Sequence, residues 1–189
     1  MTTRLLLISH ASTPALRAAR FPLDEPLDDD GRTRAKSNGA SSRRPAHRAL
    51  CGPERRTAET ARALGLDPVD ESALRDVDCG RWAGRSIDDV LSAEPEAFAA
   101  WMSDPKATPH GGESIGAVVE RVTRWLEELA RADDDRVVAV THPAVVRSAV
   151  VHALDAPLAS FWALDVVALA MVRLHASDGR WRLRLGPDE

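Results

Sequence analysis

The chain has 189 residues, 44% hydrophobic and 29% charged, the size and make-up of one globular domain with a core of its own. Its 25 basic and 29 acidic residues are interspersed and leave a formal charge of −4, which argues against a general nucleic-acid surface. Two cysteines are too few for a disulfide framework, and the apolar run after Arg4 is too short for a signal or a membrane span, so a cytoplasmic protein with free thiols is expected.

Arg4–Ser9 (RLLLIS) has the unbroken apolar character of a buried parallel strand and ends at a polar turn, His10-Ala11-Ser12-Thr13-Pro14. Three acids from Asp28 suit a helix N-terminus, predicting a helix to about Asn38-Gly39. His47–Cys51 reads as a second strand, followed by a helix over Glu54–Leu64 that Gly65 stops; Asp67–Val69 reads as a short strand. Leu74–Gly84 has no period and is expected to be an ordered loop. Ser86–Ser103 divides into two helical pieces at Pro95, a residue suited to a first helical position.

Glu113–Arg131 is the strongest amphipathic helix, with Ile115, Val118, Val119, Val122, Trp125, Leu126 and Leu129 at three- and four-residue spacing. Arg136–Thr141 is the clearest buried strand, and Pro143–Leu154 follows as a helix. Asp165–His175 and Arg180–Leu185 around Asp178-Gly179 form a predicted hairpin. Alternating strands and helices with a closing hairpin predict an α/β fold, a three-layer α/β/α sandwich on a mostly parallel sheet, formed by residues 1–189 as one domain.

Two strands end alike: Ser9-His10 closes the first and Thr141-His142 the later one. Open α/β sheets bind ligands beyond the carboxyl ends of their strands, so the two histidines can face one crevice. A helix follows His142, and Arg55 and Arg56 open another near a third strand end. Helix N-termini and the planar guanidinium fork both favour phosphate oxygens. Taken singly, a strand-end histidine or Arg55 and Arg56 has an ordinary structural reading; together they suit an anion site.

At these residues the chain resembles the histidine phosphatase (phosphoglycerate mutase-like) superfamily. LLLISHAST resembles its Arg-His-Gly-x-Thr strand, PLDDDGRTRA its Pro-Leu-Thr-x-x-Gly-x-x-Gln-Ala stretch and GPERRTAETA its Ser-Pro-Leu-x-Arg-Ala-x-Gln-Thr-Ala segment. LRDVDCGRWAGRS resembles Leu-x-Glu-x-x-x-Gly-x-Trp-Glu-Gly, HGGES the Gly-Gly-Glu-Ser loop, and VVAVTHPAVVR the strand ending Thr-His-Gly-Gly-x-x-Arg. The resemblance covers about residues 4–147. It implies a metal-independent phosphatase without a cofactor, with a phosphohistidine formed on His10. Arg56 and His142 would stabilise the phosphoryl oxygens, and Asp76 would serve as acid and base, its pKa raised by burial or a nearby negative charge. Thr13 and Ala144 are implied substrate contacts.

The departures are specific. Ser9 stands where the family has an arginine, Ala11 where it has glycine, Leu16 where it has asparagine, and Pro143, which lacks an N–H, after the second histidine. Asp76 is one methylene shorter than the family glutamate. Arg17 is the foremost candidate to replace the missing clamp, with Arg20, Arg43 and Arg44 behind it. Trp82, Trp101, His110 and Glu113 are candidate contacts for the rest of a small phosphomonoester. The alternative is a degenerate member that binds a phosphorylated ligand or partner without efficient turnover. The residues name neither the substrate nor an oligomeric state; the candidate substrates are sugar phosphates, nucleotide-like phosphates, cofactor-precursor phosphates and phosphohistidine proteins.

Overall fold

The computed structural model describes residues 2–39, 48–132 and 136–186. They form one six-stranded sheet in the order β3-β2-β4-β1-β5-β6: β1 Thr2–Ser9, β2 Arg48–Cys51, β3 Val69–Asp70, β4 Arg136–Thr141, β5 Met171–Ser177 and β6 Arg180–Arg184. The first four are mutually parallel, and β5 runs antiparallel beside β1. The helices are α1 Pro14–Arg17, α2 Asp29–Asn38, α3 Arg55–Ala63, α4 Ile87–Ala93, α5 Pro95–Ser103, α6 Ile115–Arg131 and α7 Pro143–Ala153. Among the described residues no helix is long and apolar enough to cross a membrane.

Strand alternation divides the core between the two faces. Leu5, Leu7, Val137, Ala139 and Leu174 pack with α6 and α7, whereas Ile8, Val138 and Val140 pack with Ala61 and Leu64 at α3. The expected three layers and mostly parallel sheet are therefore present. Helix α6 buries the same seven apolar side chains that the periodicity picks out. At roughly 1.5–3 kcal/mol for each large apolar side chain, their burial outweighs the modest helix propensity of its valines. Ser114 caps it by accepting from the Ala117 N–H.

Asp28 explains the acidic start of α2. One carboxylate oxygen accepts from the Gly31 N–H at 2.6 Å and the other from the Ser12 hydroxyl at 2.7 Å. Gly31 is required there, because a Cβ would lie 2.3 Å from the Ser12 carbonyl oxygen. This staple fixes the loop that leaves β1.

The hairpin turns at Asp178 and Gly179, both at positive φ (53° and 72°), as a tight Asp-Gly turn requires. Its first strand starts at Met171 rather than Asp165. Leu169 sits at φ 62°, outside strand geometry, and its N–H donates to the Ser9 carbonyl at 3.2 Å. Before it, Leu158–Ala163 forms a 3₁₀ turn. Helix α1 is also unanticipated: Thr13 caps it, Pro14 occupies its first position, and four residues are too few to show a period.

Candidate active site

The register of β1 against β4 creates the site. Ser9 pairs with Thr141, so His10 and His142 leave the sheet side by side. Their ring centroids are 5.3 Å apart. The His10 N–H donates to the Thr141 carbonyl at 2.8 Å, and the Thr141 hydroxyl donates to the Leu74 carbonyl at 2.8 Å, which ties in the loop that carries Asp76.

His10 is buried, and its Nδ1–H donates to the Ala11 carbonyl at 2.7 Å. A carbonyl only accepts, so this contact places the ring proton on Nδ1 and the lone pair on Nε2. Burial, and after it the charge of His142, lower the His10 pKa to about 4. The ring is neutral at physiological pH. Thr60 steadies the following backbone: its hydroxyl accepts from the Ala11 N–H at 3.0 Å and donates to the Arg56 carbonyl at 2.6 Å.

His142 is the opposite case. Burial opposes its charge, but Asp76 and a hydrogen bond to Glu54 outweigh burial and raise its pKa. Its Nε2 donates to Glu54 Oε2 at 2.7 Å, and Nδ1 lies 3.3 Å from Asp76 Oδ2. Gly52 makes room for this ring, since a Cβ there would lie 3.1 Å from Nε2. Glu54 Oε1 also accepts from the Asp76 backbone N–H at 2.9 Å.

Arg56, from the first turn of α3, is 2% exposed. Its Nη2 donates to Asp76 Oδ2 at 2.8 Å and its Nη1 to the Leu23 carbonyl at 2.6 Å. Burial pushes the Asp76 carboxyl up, but His142 and Arg56 overcome it and hold the group well below the usual carboxylate range. The upward shift expected for Asp76 is therefore absent, because His142 and Arg56 both face its carboxylate.

Other positions divide clearly. Thr13 and Ala144 line the cleft beside His10 and Asp76, as does Arg20. Arg17 does not line it: the short α1 turns its largely exposed side chain toward Asp28, 4.0 Å away. Arg17→Ala is accordingly expected to change kcat/KM by less than about threefold, within the range of a surface ion pair. A tenfold loss in steady-state assays would restore it as a phosphate clamp. Arg43 and Arg44 lie outside the described residues, as does His47 at the start of the predicted second strand. Arg55 is exposed and pairs with Glu59.

Trp101 lines the cleft, but Trp82 and His110 are buried in the aromatic cluster beneath it, with ring centroids 5.0 Å apart. Glu113 is held by the buried Arg121 fork, which also donates to the Ala73 carbonyl at 2.7 Å and so braces the Asp76 loop. Cys79 lines the cleft too; burial and then Asp76 push its thiol up to about 12, so it offers no competing thiolate.

Sequence reasoning misses Glu54 and Arg147. For Glu54 the signal was an acid in the apolar slot of the Ser-Pro-Leu-x-Arg pattern. For Arg147 it was the arginine closing VVAVTHPAVVR, five residues after His142. Ser9 leaves a buried hydroxyl without a hydrogen-bond partner where the family pattern has arginine.

Two histidines, an arginine and a carboxylate thus meet at the carboxyl ends of the central strands β1 and β4 of a three-layer α/β protein. The chain belongs to branch 1 of the histidine phosphatase superfamily, whose family model matches residues 5–188. It is 28% identical over 186 residues to phosphoserine phosphatase 1 of Hydrogenobacter thermophilus, covering 94% of this chain and 88% of that one. It is 31% identical over 168 residues to the adenosylcobalamin/alpha-ribazole phosphatase of Salmonella typhimurium, covering 84% and 83%. A 30% match to a bifunctional protein of Mycobacterium tuberculosis covers 97% of this chain, which spans about half of that relative's length (53%). The solved structure of a mycobacterial glucosyl-3-phosphoglycerate phosphatase superposes with a TM-score of 0.84 at 26% identity, covering 97% of both chains.

Proposed function

We propose that the chain is a metal-independent phosphomonoesterase that works through a phosphohistidine on His10. One observation carries this reading: Nδ1 of His10 is committed to the Ala11 carbonyl, leaving a neutral ring with its Nε2 lone pair free beside a charged His142 and Arg56. Positive charge at the phosphoryl oxygens comes from those two side chains.

In the first step Nε2 attacks phosphorus; the P–N bond forms as the P–O bond to the alcohol breaks, and the leaving oxygen takes a proton. In the second step water attacks phosphorus, the P–N bond breaks, and inorganic phosphate and neutral His10 are released. In this reading Asp76 gives the first proton and accepts the second. Its upward shift must then come from the substrate: phosphate draws Arg56 away from Asp76 and brings negative charge beside it, and both changes favour the protonated carboxyl.

Glu54 sets how long His142 keeps its charge. Activity should fall on the alkaline side as His142 loses its proton. Glu54→Gln keeps an acceptor but removes a charge from a 2.7 Å contact, so the alkaline limb should move down by about one pH unit. A pH–rate profile on a stable phosphate ester reads this directly, and an unmoved limb would refute the assigned role.

A second reading has one feature in its favour. With Ser9 in place of arginine, Glu54 and Asp76 balance Arg56 and His142, which weakens the pull on a phosphate dianion and suits a binding protein without turnover. The two are separated by acid-quench and base-quench trapping with a labelled phosphodonor. An acid-labile, base-stable adduct in the wild type, missing in His10→Ala, supports the phosphatase. Phosphate binding without adduct or hydrolysis across an ester panel refutes it.

A further inference from the structure

Most of the cleft above His10 is not built for phosphate. Its cavity volume is about 160 Å³, close to the ~150 Å³ of a cavity that holds one benzene ring. Around the polar floor of His10, Thr13 and Asp76 rise Phe21, Trp101, Phe161 and Trp162. The rings brace one another: Trp101 lies 4.8 Å from Trp162 and 5.8 Å from Phe21, and Phe161 lies 4.9 Å from Trp162, centroid to centroid. Such a wall is preformed and rigid, so a flat ligand loses little on stacking against it.

Arg147 stands in the same wall. Its guanidinium carbon lies 5.6 Å from the Phe161 ring centroid and 5.7 Å from that of Trp162, and its Nε donates to the Leu164 carbonyl at 2.8 Å. Among the described residues no carboxylate forms an ion pair with it. A guanidinium held beside aromatic rings keeps its terminal donors for a ligand. A small alcohol without a carboxylate, such as that of glycerol phosphate, would leave the open face of Trp162 uncovered and Arg147 unmatched.

Resting on the phosphatase reading, we infer that the substrate is the phosphomonoester of an alcohol carrying a flat aromatic body with an acceptor or carboxylate at its far edge, the ring stacking on Trp162 and Phe21 and the acceptor meeting Arg147. The phosphate end specifies the chemistry, and the aromatic end specifies the substrate.

The test uses the intact protein and alkyl phosphates of similar leaving-group acidity: 2-phenylethyl phosphate, its 4-carboxy derivative, glycerol 1-phosphate and 2-hydroxyethyl phosphate. The expected result is a kcat/KM at least about thirtyfold higher for the aromatic esters, carried by KM, with the carboxylated one best. Trp162→Leu should cut the aromatic-to-hydrophilic ratio about tenfold, and Arg147→Met should abolish the gain from the carboxylate. Equal rates, or preference for the hydrophilic esters, overturn the inference and leave the phosphatase intact. Binding of benzylphosphonate against methylphosphonate, read by tryptophan fluorescence, tests the cleft without turnover. Preferential benzylphosphonate binding with no hydrolysis of any ester overturns only the phosphatase, and equal phosphonate binding with no hydrolysis overturns both.

Discussion

His10→Ala is expected to lower phosphate-ester hydrolysis by about 10⁴-fold or more, the scale of losing a covalent nucleophile. No neighbour can take over. The His142 Nε2 is hydrogen-bonded to Glu54, its pKa is raised with Nδ1 3.3 Å from Asp76, and Cys79 keeps its proton. The same substitution has a signature in stability. Folded His10 takes a proton only near pH 4, whereas the unfolded ring does so near 6.5. Because the folded value is the lower one, this part of the stability is intact above 6.5 and lost as pH falls toward 4. Between pH 7 and pH 5 it costs the wild type about 2 kcal/mol. His10→Ala carries no such group, so its denaturation midpoint should fall less over that interval. A variant that keeps a tenth of wild-type activity, or loses stability as steeply as wild type, would remove His10 from the centre of the site.

These two properties share a cause, and it shows what could be read from the residues. The apolar runs of β1 and β4 betray buried parallel strands, and the seven-residue stripe of α6 betrays its buried face, because burial is the pressure that shapes both patterns. The shared ending of the strands, Ser-His and Thr-His, then places the histidines together once the register is known. The register is set by tertiary pairing and has no local sequence signal. Arg56 and Asp76 were found by resemblance; nothing in LRDVDC alone marks Asp76 as a partner for two cations. Glu54 was hidden because its role exists only when α3 and α7 meet. Arg17 misled for the matching reason: sequence proximity to His10 cannot show that a four-residue helix turns its side chain outward. The Asp165 boundary failed on one left-handed residue, Leu169, a conformation that leucine rarely adopts and composition cannot announce.

Arg56 is where fold and chemistry depend on one side chain. It spans two acceptors, the Leu23 carbonyl and Asp76 Oδ2, from a position 2% exposed to solvent. Arg56→Ala leaves the largely buried Asp76 carboxylate with His142 as the remaining cationic partner among the described residues, and the Leu23 carbonyl without its donor. Truncating one partner of such a pair destabilises by about 3–5 kcal/mol. It also removes the buried guanidinium that faces Asp76, in a site where Ser9 supplies none. Losing one preorganised donor costs about 10²–10³-fold in kcat, and a loss in that range is expected. Arg56→Lys should not rescue it, because a point charge cannot reproduce the planar fork that reaches Leu23 and Asp76 together. Chemical denaturation and steady-state kinetics on the alanine and lysine variants decide the matter. Stability within about 1 kcal/mol of wild type and more than about a tenth of its activity in Arg56→Lys would mean that charge alone suffices and that the fork has no special part.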